Sequence, residues 1–171
     1  MITIRRITTT EPDTLVQLSE LLIDAIEGGA SVGFLSPVSR SSIENYWQGV
    51  FAALANGFVL LIAEEQGRIV GSVQLDPCQK ENGRHRAEVQ KLFVLRSHRG
   101  HGISSLLMQA VEHQAVELDR SLLHLDTLAG SAAESIYQHL GWQRAGEIPD
   151  YAAEPGGVLF PTVIFYKQLA L

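Results

Sequence analysis

Residues 92 to 111 read LFVLRSHRGHGISSLLMQAV: an apolar strand-like run, the link RSHRGHGIS, and a run with apolar residues at helical spacing. A strand that passes so directly into a helix implies α/β layers, with that helix packed back on its sheet. The link carries two glycines, two arginines and two histidines where a plain turn would serve. Gly100 and Gly102 lack Cβ atoms, so backbone amides there can approach a ligand closely, and the positive end of the following helix dipole faces the same spot. Arg99 adds a formal charge. Two readings stand side by side at this point: a phosphate or pyrophosphate pocket, or a glycine-rich turn that only caps a helix. No GKS or GKT follows the loop, which excludes a P-loop, and no GxGxxG follows the first strand.

The rest of the chain extends this pattern. TIRRI reads as a short strand, and PDTLVQLSELLIDAIE as a helix, with Pro12 in its first turn, Leu15, Leu18, Leu22 and Ile26 along one stripe, and Gly28 and Gly29 at its end. A second helix is predicted from Ser42 to Ala55, with Asn56 and Gly57 as stop signals. FVLLIAEE and RIVGSVQL form a hairpin around EQG, DPCQKENG is a loop, and AEVQKLFVL is the next strand. Ile103, Leu106, Leu107, Ala110 and Val111 mark a helix from about Gly102 to Asp119. SLLHLDTL is a strand, SAAESIYQHL a short helix closed by Gly141, VIFYK a last strand, and WQRAGEI a further one. The strand, crossover helix and strand spanning residues 88 to 127 predict a right-handed βαβ unit whose two strands are parallel within a mixed sheet.

Composition narrows the partners. With 171 residues, 46% of them hydrophobic, the chain is expected to form one domain, residues 1–171. A formal net charge of −6 argues against a phosphate-tracking nucleic-acid surface. Cys78 is the only cysteine, so no intramolecular disulfide can form, and no apolar run is long enough to span a bilayer. MITIRRITTT lacks the charged and apolar regions of a leader, and the expectation is a soluble cytoplasmic protein. His98 and His101 share the glycine loop, with His85 and His124 elsewhere, but no zinc-type spacing appears, and no metal is expected.

RGHGIS after LFVL, followed by an apolar helix, resembles the signature of the GCN5-related N-acetyltransferase (GNAT) family: Arg or Gln, two residues, Gly, one residue, then Gly or Ala. Tyr137, Gly141 and Trp142 match its later Tyr…Gly-Phe element. The resemblance implies the GNAT fold, a mixed α/β (α+β) architecture with a central sheet of about seven strands flanked by four helices. It also implies acetyl-CoA as co-substrate and acetyl transfer to an amine in a ternary complex. GGASVGF, CQKENG, RAEVQKL, LLHLDT, AGSAAE and GEIPDY further resemble the family's tabtoxin-resistance acetyltransferases, which act on the amino group of a β-lactam toxin.

The resemblance assigns roles that the residues can be checked against. An amine attacks a thioester only when unprotonated, so the site must accept a proton. Period-two alternation puts Glu88, Gln90 and Leu92 on one strand face, and Leu122, His124 and Asp126 on one face of the neighbouring strand. If those faces coincide, two carboxylates meet beside a histidine. Glu88 and Asp126 match the acidic pair assigned to catalysis in the tabtoxin-resistance acetyltransferases, and Tyr137 matches the family tyrosine that can protonate the leaving thiolate. For the cofactor, the backbone of Phe93, Val94 and Leu95 would pair with the pantetheine arm, and the run Arg99, Gly100, His101, Gly102, Ile103 and Ser104 would cradle the pyrophosphate. Ser131 stands where many relatives have Asn at a helix start, and Ser104 where Gly or Ala is usual. Ser31, Val32, Gly33 and Phe34, with His124, would contact the acceptor. The acceptor expected is a small-molecule primary amine; a protein amine, or an acyl-CoA sensor without catalysis, are the alternatives. The terminal TVIFYK strand, read as exposed, could support a homodimer.

Overall fold

The computed structural model describes residues 1–171. Strands β1 (Ile2–Arg6), β2 (Val59–Glu65), β3 (Arg68–Pro77), β4 (Arg86–Val94), β5 (Leu122–Leu128), β6 (Gln143–Ala153) and β7 (Leu159–Gln168) form one sheet in the order β1-β2-β3-β4-β5-β7-β6. Helices α1 (Pro12–Glu27), α2 (Arg40–Leu54), α3 (Ile103–Glu117) and α4 (Ala132–His139) complete the expected seven strands and four helices. Only β4 and β5 are parallel, as the crossover through α3 requires.

Local chemistry accounts for the boundaries. Pro12 opens α1, and Gly28 receives its end. For α2 the cap is Ser39, whose hydroxyl accepts the Ser42 N–H, so the helix starts two residues before the predicted Ser42. Helix α2 meets one sheet face through Tyr46, bonded to Gln74 of β3. Helix α3 lies on the other, where Leu107 and Ile103 crowd Gly71 of β3 so closely that a Cβ there would stand 3.1 and 3.3 Å from them. Tyr137 of α4 packs on Phe165 of β7 on the same side as α3. Leu18, Leu22, Ile43, Trp47, Leu60, Ile62, Leu75 and Met108 are fully buried between these layers.

Three features depart from expectation. Strand β6 runs well past Ile148, because an edge strand tolerates Pro149 at an irregularity between Ile148 and Ala152. The TVIFYK segment is not an exposed edge: β7 lies between β5 and β6, so the free edge on that side belongs to β6. In β4 the alternation breaks. Ser72 pairs with Phe93 and Gln74 with Gln90, so Lys91 and Leu92 together oppose Val73 alone. This is a β-bulge with Lys91 at φ +52°, and it moves Phe93, in place of Leu92, onto the face that carries Glu88 and Gln90. No helix is long and apolar enough to cross a membrane.

Candidate active site

The bulge also opens the site. β4 and β5 pair only through Arg86–Leu122, Ala87–Leu123 and Glu88–His124. Beyond that rung the strands run on without a shared ladder, and a cleft of about 770 Å³ lies between them. A bulged strand bends and twists more, which carries the second half of β4 away from β5.

The open edge of β4 offers backbone groups to this cleft. Leu95 donates its N–H to Val70 of β3, so it faces away. Alternation turns the N–H and C=O of Val94 to the other side, and the Val94 carbonyl accepts Nε of Arg99 at 3.3 Å. Phe93 and Val94 line the cleft and Leu95 does not, so of the three residues expected to pair with an extended arm, Val94 presents its backbone.

At the far end lies the glycine loop. Gly100 and Gly102 hold φ of +79° and +78°, the left-handed region, and a Cβ at either would meet nothing within 4 Å. The space beside them is therefore open to a ligand. The first N–H groups of α3, at Ile103, Ser104 and Ser105, have no carbonyl within the helix to bond. These three residues line the cleft together with Arg99, and they fit a phosphate group on charge and on room. Arg96 anchors the loop from behind: its backbone N–H and Nε donate to the two carboxylate oxygens of Asp24 at 2.9 Å each, and its guanidinium reaches Glu27 at 3.3 Å. These hydrogen bonds, with the Arg96 charge, hold the Asp24 carboxyl below its usual range although burial opposes them. His98 is more engaged than a solvated loop histidine, since it lines the cleft and lies 3.4 Å from Glu65. His101 is exposed, bonded only to the His98 carbonyl, and outside the wall.

The chemistry-bearing side chains gather where β4 and β5 part. Glu88 sits on the last shared rung and Asp126 two residues along β5, both on one sheet face and both in the cleft wall. Gln90 donates to Glu88 at 3.1 Å, and Thr162 of β7 donates to Asp126 at 2.9 Å. His124 pairs with Glu88 along the ladder but lies outside the wall. Tyr137 enters from α4, its ring buried against Trp142 and Phe165 and its hydroxyl without a protein partner. Burial, reinforced by the Asp126 charge, pushes its phenol up to about 12. Ser131, at the N-terminus of α4, lines the cleft 3.4 Å from the Thr127 hydroxyl.

Two of these groups escaped the sequence. Lys91 carries a cation into the cleft between the expected carboxylates and the α1–α2 loop, donating to the Val32 carbonyl at 2.8 Å. The available signal is a lysine at a position that plain alternation along β4 assigns to the apolar face of Ala87, Val89 and Phe93. Thr162, 4% exposed on β7, had none, because its role depends on pairing with β5. Of the expected acceptor residues, Ser31 and Val32 line the cleft. Gly33 lies just behind Lys91, and Phe34 packs edge-on against Tyr46 at 5.6 Å, outside the wall. No group of three or more His, Cys, Asp or Glu is placed to hold a metal ion.

Known proteins share this fold. Residues 20–142 match the acetyltransferase (GNAT) family. An uncharacterized N-acetyltransferase in the hisH-hisA intergenic region of Azospirillum brasilense is 32% identical over 127 residues, 73% of this chain and 74% of that protein. A ribosomal-protein-alanine N-acetyltransferase from Brucella melitensis superposes with a TM-score of 0.83 at 27% identity, over 98% of this chain and 99% of that one. A GNAT superfamily phosphinothricin acetyltransferase from Sinorhizobium meliloti, solved in complex with AcCoA, shares the fold at a TM-score of 0.81 and 16% identity, over 99% and 89% of the two chains. The match over residues 20–142 and the 32% identity over 73% of the chain make this chain a member of the acetyltransferase (GNAT) family.

Proposed function

We propose that this acetyl-CoA-dependent acetyltransferase acetylates the primary amine of a small molecule. The observation that carries the reading is a closure at the acceptor end. The Ser36 N–H donates to the Pro155 carbonyl at 2.8 Å, which fastens the α1–α2 loop to the β6–β7 hairpin. Ser31 and Val32 from that loop, and Tyr151 and Phe160 from the hairpin, wall the cleft beneath the bridge. A protein acceptor needs a groove open at both ends; a bridged one suits a compact molecule. The likeness to a ribosomal-protein-alanine N-acetyltransferase favours the second reading, a protein amine.

Acetyl-CoA, when bound, supplies a thioester whose carbonyl carbon is the electrophile. Arg99, the glycine loop and the first amides of α3 would hold its pyrophosphate, and the Val94 backbone would align its amide-bearing arm. Glu88 and Asp126 attract the acceptor's ammonium and take its proton, freeing the amine lone pair. Tyr137 keeps its proton throughout the working range and can give it to the departing sulfur. The blocks GGASVGF, RAEVQKL, LLHLDT and GEIPDY, which resemble the tabtoxin resistance protein, support a tabtoxinine-like acceptor.

Thiol release with acetyl-CoA tests the reading, with tabtoxinine-β-lactam, free amino acids, polyamines and an N-terminal ribosomal peptide as acceptors. Turnover of small amines well above that of the peptide is expected. Turnover of the peptide alone overturns the proposal in favour of a protein substrate, and acetyl-CoA binding without release on any acceptor leaves a sensor.

A further inference from the structure

Lys91 sits at the β4 bulge in the wall of the cleft. Of the three donors on its ammonium, one is used by the Val32 carbonyl at 2.8 Å. No other protein acceptor lies within hydrogen-bond reach, and no carboxylate comes within the 4.0 Å of an ion pair. The group is nevertheless mostly withdrawn from solvent: burial pushes its pKa down, against the pull of Asp126 and Glu88. A desolvated cation with two unmatched donors, facing open space, is an arrangement that an anion completes.

The surroundings give that anion a direction. Glu88 and Asp126 lie in the same wall and draw a positive group, while Lys91 stands beside the loop that closes the acceptor end. The cleft is thus polarised along a short axis, negative toward the rung where β4 and β5 part and positive toward Val32. A molecule with both charges fits one way round. A polyamine meets Lys91 with like charge, and a neutral amine leaves it unmatched.

We propose that Lys91 is the residue that selects the acceptor: it receives a carboxylate of the substrate while Glu88 and Asp126 receive the amine, so that the substrate is a primary amine carrying a carboxylate a few bonds away. This rests on the small-amine reading above. It adds the acidic group and the side chain that recognises it.

The test compares L-amino acids with their carboxamides and their decarboxylated amines, using thiol release with the 171-residue chain. In the wild type kcat/KM for the acids exceeds that for both neutralised series by about 10- to 100-fold, the range of one charge-assisted contact. Lys91→Gln keeps a donor for the Val32 carbonyl but no charge, and the ratio falls toward one through KM of the acid. Lys91→Arg restores part of it. A wild-type ratio at or below one overturns the assignment without any variant, and so does a Lys91→Gln ratio equal to that of the wild type. Acetylation of carboxamides and polyamines but not of acids sinks the role of Lys91 alone. Acetylation of none of these amines, with acetyl-CoA bound, sinks the small-amine reading and this inference with it.

Discussion

The Thr162 hydroxyl stands 2.9 Å from Oδ2 of Asp126 and 3.0 Å from the Thr127 carbonyl, so a single proton on β7 is shared between a cleft carboxylate and the backbone of β5. Thr162 pairs with Leu128 and Asp126 with Ile164, which puts both side chains on one face and fixes the carboxylate by a neighbour-strand contact rather than by its own strand. Thr162→Val removes the hydroxyl at nearly constant volume. Losing such a bond to a charged acceptor is worth about 1–2 kcal/mol, or roughly 5- to 30-fold in rate if Asp126 must be oriented to take the proton. The expected outcome is that fall in kcat with the acetyl-CoA KM within about twofold, and recovery in Thr162→Ser. A fall in Thr162→Ser with none in Thr162→Val would show that the methyl packing matters and the hydroxyl does not.

The glycine loop yields a second expectation. Gly102 precedes α3 at φ +78°, where any residue with a Cβ is strained by about 1–2 kcal/mol, yet the space around that Cβ is empty. Gly102→Ala therefore loses stability through backbone conformation and not through a clash. Its melting temperature should fall by about 2–6 °C, and Gly102→Asn should recover part of the loss, since Asn tolerates the left-handed region. The acetyl-CoA KM should rise in both, because the added side chain enters the room left for a phosphate. Ser104, half-buried on the first turn of α3, supplies the contrast: Ser104→Leu should raise that KM more than Ser104→Gly. If Gly102→Ala and Ser104→Leu bind acetyl-CoA as the wild type does, the loop does not hold it.

How much of this was legible depends on whether the determinant is local. Helix α1 occupies the predicted span because Pro12 and Gly28 are chemical boundary signals carried by the residues themselves. The Arg99–Ser104 link, between an apolar strand and an apolar-striped helix, is equally local. So is the Glu88–Asp126 face match, which follows from alternation along two strands that the crossover makes parallel neighbours. What escaped depends on register. AEVQKLFVL alternates plausibly without interruption, and only its pairing with β3 shows Lys91 and Leu92 opposite one residue. That bulge turned Phe93 toward the Glu88 face, left Val94 presenting its backbone, and placed Lys91 in the cleft. Arg96 carries no local signal of its role. Its meaning lies in Asp24, distant in sequence and unreadable from spacing.

Tyr137 yields the last expectation, and its pH behaviour separates two roles. The ring is buried against Trp142 and Phe165 while the hydroxyl faces the cleft without a partner, so packing and proton donation belong to different parts of one side chain. Tyr137→Phe keeps the first and removes the second. A coenzyme A thiolate already leaves fairly well, so the expected fall in kcat is modest, about 10-fold, below the usual range for general acids. Stability should respond separately. With the phenol pushed up to about 12 in the folded chain against an ordinary 10, the unfolded state gives up its proton first. Between pH 10 and 12 the unfolded chain then binds fewer protons, and stability falls as pH rises through that window. Tyr46, likewise raised to about 12 by burial, adds to the same slope. Tyr137→Phe should flatten part of the alkaline loss of melting temperature, with no pH-linked change below about pH 10. A flattened stability profile with undiminished kcat would leave Tyr137 as packing and assign the sulfur's proton to solvent.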